Sequence, residues 1–271
     1  MLLEKRFTCY HLIMIISIFH LKGGVGKTSF AYHLFQSVPK ALSIDLDPQA
    51  SLSQYLQFES SLSILDVLQQ EQGLKDVISN VGMDRDFIPA NIDLMKCESF
   101  LQSTFKREEK LKKILENQSQ YPYIFLDLAP NISLLNINAL VASDVVIIPT
   151  SLDYLGLHAL DVSFEIFEDL KSSLDLNFKK ILIVPNLVEM RTKIHQQSLH
   201  YLQENYSKYL SNVSIQKTNG FRESALAPKP LFEWAKYAKY RTLFTQILTE
   251  VSSESKTYEQ VGQSTQENLI F

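Results

Sequence analysis

The chain has 271 residues, 45% hydrophobic and 21% charged, with a formal net charge of −4 that by itself argues against nucleic acid. That length and balance suit one well-cored α/β domain, with appendages at most. Two cysteines, Cys9 and Cys97, supply neither a disulfide framework nor a metal-ligand set, which favours a reducing, cytoplasmic compartment.

Residues 7–19 follow Lys5 and Arg6 and imitate the apolar core of a signal peptide. A glycine-rich loop starts at Lys22, however, and needs a buried strand directly before it. Only Ile15 to Phe19 can supply that strand, so the segment reads as the first strand of a sheet. Met14 stands where the domain would begin, and residues 1–13 read as an N-terminal extension or a misassigned start. No other stretch approaches the roughly 20 apolar residues of a membrane span.

Short apolar runs then alternate with helical patterns. Strands are expected at 14–20, 41–46, 123–128, 144–149 and 180–185, with helices at 27–37, 51–56, 132–142, 157–173 and 193–210. This alternation predicts an α/β fold, a mostly parallel sheet with helices on both faces, and places ligands at the carboxyl ends of the strands. Residues 59–120 are more helical and polar, with a short strand at Phe87-Ile88. The domain is expected to fill 14–251. Residues 252–271, rich in Ser, Gln and Glu, read as a disordered tail.

Charge is unevenly spread. Between Arg191 and Arg241 stand nine lysines and arginines against three acids, a local net charge of +6 that leaves −10 elsewhere. A basic zone on an acidic protein can be an electrostatic footprint for a polyanion or a solvated helical surface.

The chemistry begins at His20-Leu21-Lys22-Gly23-Gly24-Val25-Gly26-Lys27-Thr28-Ser29. Its glycines let several backbone N–H groups converge on a phosphate, and the following helix adds its positive end. Lys27 would meet the β- and γ-phosphates and the Thr28 hydroxyl a magnesium ion. Residues 22–29 are therefore expected to form a phosphate-binding loop for ATP and Mg²⁺. The second strand ends Asp45-Leu46-Asp47-Pro48-Gln49, where two carboxylates two residues apart share one face. Asp127 ends the apolar run Tyr123-Ile124-Phe125-Leu126, a pattern suited to holding magnesium through water.

Leu21 occupies the first glycine position of an ordinary phosphate loop, and the additional Lys22 opens it. This resembles the deviant Walker A loop of the ParA/MinD family of ATPases, with P-loop NTPase fold, and the likeness runs over residues 14–250. It implies that Lys22 reaches across an ATP-dependent homodimer to the partner's nucleotide, giving Lys22, Lys27 and Asp47 catalytic roles. It further implies that Asp47 orients or activates the attacking water, that Asp45 supports the magnesium shell, and that Asn186 touches adenine. Where the family usually has Asp-Thr/Ser-Pro-Pro, this chain has Asp127-Leu128-Ala129-Pro130. Arg191 and Arg222 match family DNA contacts, and with Lys193, Lys217, Lys236, Lys239 and Arg241 would bind double-stranded DNA through phosphates, without base reading.

The function this implies is plasmid or chromosome partitioning. An ATP-bound dimer coats the nucleoid and is released when a ParB-like or centromere-binding adaptor stimulates hydrolysis. The alternative is a MinD-like or other relative that positions a protein cargo or cycles on a membrane. Membrane cycling would need a basic amphipathic C-terminal helix, and Gln263 to Phe271 contain no basic residue, so no membrane partner is expected. A reductase like the nitrogenase iron protein would need cysteines near Asp127; Cys9 and Cys97 lie elsewhere.

Overall fold

The computed structural model describes residues 13–253 except Asp175 and Pro228. The expectations for the N-terminal extension, for Pro228 and for the tail beyond residue 253 fall outside the described residues.

Seven strands form one sheet: β1 (Met14–Ile18), β2 (Ala41–Leu46), β3 (Ser79–Asn80), β4 (Arg85–Ile88), β5 (Tyr123–Leu128), β6 (Val145–Ser151) and β7 (Lys180–Asn186), in the order β3-β4-β2-β5-β1-β6-β7. All neighbours are parallel except β3, which runs antiparallel to β4. The helices are α1 (Lys27–Gln36), α2 (Ser51–Tyr55), α3 (Ile64–Leu68), α4 (Leu74–Val77), α5 (Cys97–Gln102), α6 (Lys110–Leu115), α7 (Leu134–Ala142), α8 (Tyr154–Leu174), α9 (Lys193–Asn205), α10 (Gly220–Leu226) and α11 (Lys239–Ser252).

Strand parity sorts the core. Ile15, Leu42, Ile44, Ile124, Leu126, Val146, Ile148 and Ile183 pack on one face with α5, α6, α7, α8 and α9. Ile16, Ile18, Phe125, Val145, Ile147, Leu182 and Val184 pack on the other with α1 and α11. Side chains two apart share a face, so Asp127 falls on the same side as Phe125, the side covered by α1. Asp45 and Asp127 are register partners across β2 and β5.

Beyond shifts of one or two residues at element ends, three features differ from expectation. Helix α8 starts at Tyr154 because the Asp153 carboxylate accepts a hydrogen bond from the Gly156 amide at 2.9 Å, capping the helix earlier than its apolar pattern begins. Helix α9 ends at Asn205 because the chain beyond it turns to cover the edge of β7. The Ile183 amide donates to the Tyr209 carbonyl at 2.8 Å and Ser211 donates back to Ile183 at 2.9 Å. Strand β3 is two residues long, too short to leave a periodic signal.

One buried residue joins the two parts of the α1 face. His33 is fully buried on α1; its Nδ1–H donates to the Ser29 carbonyl at 2.6 Å, and its Nε2 accepts from the Leu231 amide at 3.1 Å. The imidazole stacks on Phe244 of α11 and meets Phe221 of α10 edge-on. Burial depresses its pKa to about 3, well below the 6.5 of a free histidine. The stability it contributes is therefore complete above pH 6.5 and is lost as pH falls toward 3. His20, buried and lowered to about 4, acts with the same sign. We expect the urea midpoint to fall between pH 6.5 and 4.5. His33→Gln should flatten that dependence and lower stability at pH 7 by roughly 1–3 kcal/mol. An unchanged slope in the variant would place the titration elsewhere.

Candidate active site

The loop after β1 is shaped by two glycines. Gly24 and Gly26 have φ of 77° and 95°, in the left-handed region that side chains rarely adopt. Gly26 caps α1 without a side-chain hydrogen bond, so the first amides of α1 are left to an outside acceptor. A Cβ on Gly26 would lie 2.6 Å from the Asn186 Nδ2. That nitrogen donates to the Val25 carbonyl at 2.6 Å, so the end of β7 fastens the loop from below.

Lys27 is 7% exposed, with its ammonium donating to the Lys22 carbonyl at 3.3 Å. Burial draws its pKa below the usual lysine range, against the attraction of Asp127 and Asp47. Below it sits Asp127, fully buried, and neither carboxylate oxygen has a hydrogen-bond partner among the described residues. Burial, reinforced by Asp45, raises that carboxyl well above its ordinary range, while the neighbouring Thr28 hydroxyl and Lys27 oppose the rise. An unsatisfied buried carboxylate is expensive. Oxygen ligands of this kind suit a hard divalent cation, which in phosphate sites takes one or two protein groups and the remainder from phosphates and water. Thr28 and Asp127 fit such an ion.

Asp45 has a different environment. Its Oδ2 accepts from the Ser53 amide at 2.9 Å and the Ser53 hydroxyl at 2.8 Å, and its Oδ1 accepts from the Asp47 amide at 3.2 Å. Burial lifts it to about 6 despite these bonds. Asp45 thus organises the loop that carries Asp47. Asp47 itself is half-buried, accepting from the Gln49 amide at 2.9 Å.

Lys22 does not project freely. Its ammonium lies 2.7 Å from both Asp153 oxygens and 3.1 Å from the Ser151 hydroxyl. Burial alone would raise the Asp153 carboxyl, but Lys22, Gly156 and Ser151 hold it below the ordinary range. The sequence offers Asp153 as part of the family-like run Asp153-Tyr154-Leu155-Gly156-Leu157 but assigns it no role at the site, because its partner Lys22 is 131 positions away.

A family model described as an AAA domain matches residues 13–180. The cell division protein PomZ of Myxococcus xanthus is 30% identical over 79% of this chain and 70% of its own length. The sporulation initiation inhibitor protein Soj of Bacillus subtilis is 27% identical over 88% and 98%. The chain belongs to the ParA family of partition ATPases. Among solved structures, apo McdA from Cyanothece superposes with a TM-score of 0.80 at 21% identity, covering 87% of this chain and 99% of that one. A Borrelia burgdorferi plasmid partition protein bound to AMPPNP gives 0.73 at 23%, covering 88% and 98%. These two likenesses establish the ParA-type P-loop fold.

A cavity of about 210 Å³ beside Gly26 is lined by Tyr55, Asn186, Phe221 and Arg222. The Asn186 Oδ1 is buried without a hydrogen-bond partner among the described residues. Arg222, expected among the DNA-facing cations, thus stands in the wall of this cavity. The remaining basic residues divide. Lys217 pairs with Glu189 at 2.7 Å and Lys236 with Glu223 at 2.9 Å. Arg241 lies 4.3 Å over the Phe232 ring, and Lys239 lies 5.5 Å over the Tyr240 ring. Arg191 and Lys193, exposed at the start of α9, make no ion pair among the described residues. No helix among the described residues is long and apolar enough to cross a membrane.

Gly26→Ala combines a left-handed backbone with the clash against Asn186. We expect a loss of about 1–3 kcal/mol in stability and at least roughly tenfold weaker binding of a fluorescent ATP analogue, about 1.4 kcal/mol. Normal analogue binding by a folded Gly26→Ala protein would remove the loop from the site.

Proposed function

We propose that this chain is a nucleotide-driven partition ATPase that binds ATP with Mg²⁺, dimerises in the ATP state, holds DNA without reading sequence, and is released through hydrolysis stimulated by a ParB-like adaptor. The observation that carries the reading is the buried, unpartnered Asp127 carboxylate beneath Thr28 and Lys27, at the open end of α1. Magnesium bound by Thr28 and Asp127 would supply positive charge to the β- and γ-phosphates. The amides of residues 23–29 cradle the phosphates and Lys27 adds its ammonium. Asp47, whose backbone amide donates to the Asp45 carboxylate, orients the attacking water. The Asn186 Oδ1, whose amide orientation is set by the Val25 carbonyl, is the acceptor for the adenine amino group.

Lys22 rests on Asp153 in the single chain. The two side chains are 26% and 38% exposed, and a pair so placed contributes only about 0–1 kcal/mol. A partner's triphosphate offers more charge at the same reach, so dimerisation can draw the ammonium away from Asp153. Lys27→Ala should lose ATP binding, whereas Asp47→Ala should bind ATP and fail to hydrolyse it. Sedimentation in the Asp47→Ala background should show an ATP-dependent dimer that Lys22→Gln abolishes. Asp153→Asn should shift dimer formation to lower protein concentration. A nucleotide-indifferent oligomer would overturn the sandwich.

Arg191 and Lys193 are exposed and make no ion pair among the described residues, and a dimer presents two sets to one duplex, which raises affinity through effective concentration. We expect Arg191→Ala and Lys193→Ala each to flatten the slope of log K against log salt by roughly one unit per contact. The ion-paired Lys217 and Lys236 should matter less. Filter binding on two unrelated duplexes checks this, and strong preference for one duplex would reveal a base-reading element. The relatives include a cell division protein, a sporulation initiation inhibitor and a chromosome partitioning protein, a spread that supports a cargo chosen outside this chain.

A further inference from the structure

A second cavity, of about 470 Å³, opens between α8 and α9. It falls within the roughly 300–1,000 Å³ range of ligand clefts and takes no part in the nucleotide site. Its walls are the rings of Tyr154, His158 and Tyr201 with the apolar Leu157 and Ile194, and Asp161 supplies its carboxylate. The Tyr154 and His158 rings are parallel within 7°, their centroids 6.2 Å apart.

Asp161 is held in a fixed position. The Tyr201 hydroxyl donates to both of its oxygens at 3.1 Å, and the Tyr206 hydroxyl donates to Oδ1 at 2.6 Å. These neutral donors orient the carboxylate without cancelling its charge, and a carboxylate retains acceptor capacity beyond them. Asp161 makes no ion pair among the described residues, and no lysine or arginine lines the cavity. A fixed anion among aromatic faces is the complement of a planar cation.

We propose that this cavity is the docking pocket for an arginine of a partner polypeptide, its guanidinium against Asp161 and its flanking apolar residues on the rim. Arginine fits better than lysine because a planar guanidinium can stack on a ring while donating in-plane hydrogen bonds to a carboxylate. A polypeptide fits better than a free cation because the apolar wall of the pocket is itself open to solvent. Ile194, Tyr154 and Leu155 are 50%, 55% and 62% exposed. Helix α8 adds charge complementarity along its length, with Asp161, Glu165, Glu168 and Asp169 against one Lys171.

The pocket lies at the start of α8, one residue beyond the Asp153 that holds Lys22, so an occupant touches the element that restrains the lysine. That the occupant belongs to the adaptor rests on the function proposed above; the chemistry of the pocket does not.

The full chain, without nucleotide, is titrated with an acetylated, amidated Leu-Arg-Leu-Leu peptide while methyl resonances of Ile194 and Leu157 are followed by NMR. A second peptide carries citrulline, which keeps the shape and removes the charge. The arginine peptide should shift and saturate these resonances and bind at least roughly tenfold tighter than the citrulline peptide, a difference of about 1.4 kcal/mol. Asp161→Asn should bring the two to equal affinity. Ile194→Ala, a surface truncation independent of the Asp161 network, should weaken both. Equal binding of the two peptides to the unaltered chain, or binding of free arginine amide as tight as the peptide's, overturns the proposal. Failure here with Lys27-dependent ATP binding intact would sink the pocket alone. Peptide binding by a chain that binds no ATP would sink only the adaptor's part in it.

Discussion

Two buried carboxylates side by side, Asp45 and Asp127, organise the site. Burial in a dry interior raises both carboxyls, their register across β2 and β5 lets Asp45 push Asp127 higher still, and the pair is costly unless cations face it. Ser53 and the Asp47 amide satisfy Asp45. Asp127 is left for Lys27, Thr28 and the metal they fit. The same parity that buries Phe125 against α1 aims Asp127 at the start of that helix, so packing and chemistry come from one alternation.

The α1 helix carries that chemistry and is therefore anchored from several sides. Its start is held through Gly26 and Asn186, its middle through His33 to the turn at Leu231, and its apolar face through Phe30 against Phe244. His33 connects the phosphate-facing turn at Ser29 with the region of α10, whose Phe221 and Arg222 line the cavity next to Gly26. A change at the phosphates thus has a packed route to the basic segment, because buried elements shift as units rather than bend.

On the opposite side of the sheet, the start of α8 gathers different tasks within a few residues. Asp153 caps the helix and holds Lys22, while Tyr154 begins the wall of the aromatic cavity. The exposed ion pair is weak enough to be exchanged, whereas the tyrosine-bound Asp161 is fixed.

The strand–loop–helix at Lys22 to Ser29, the alternation that makes a parallel sheet, and the acids at the ends of β2 and β5 are legible in the residues alone. These are local patterns, written in glycine spacing, in period-2 burial and in the chemistry a phosphate demands. Which cations are tied up in ion pairs follows from the folded chain, because a pair such as Lys217 with Glu189 joins residues 28 positions apart. The same holds for Lys22 resting on Asp153, for Asp45 bonding to Ser53, and for Arg222 lining the cavity beside Gly26. Each of these depends on chain segments meeting across the sheet, and no local periodicity records that meeting.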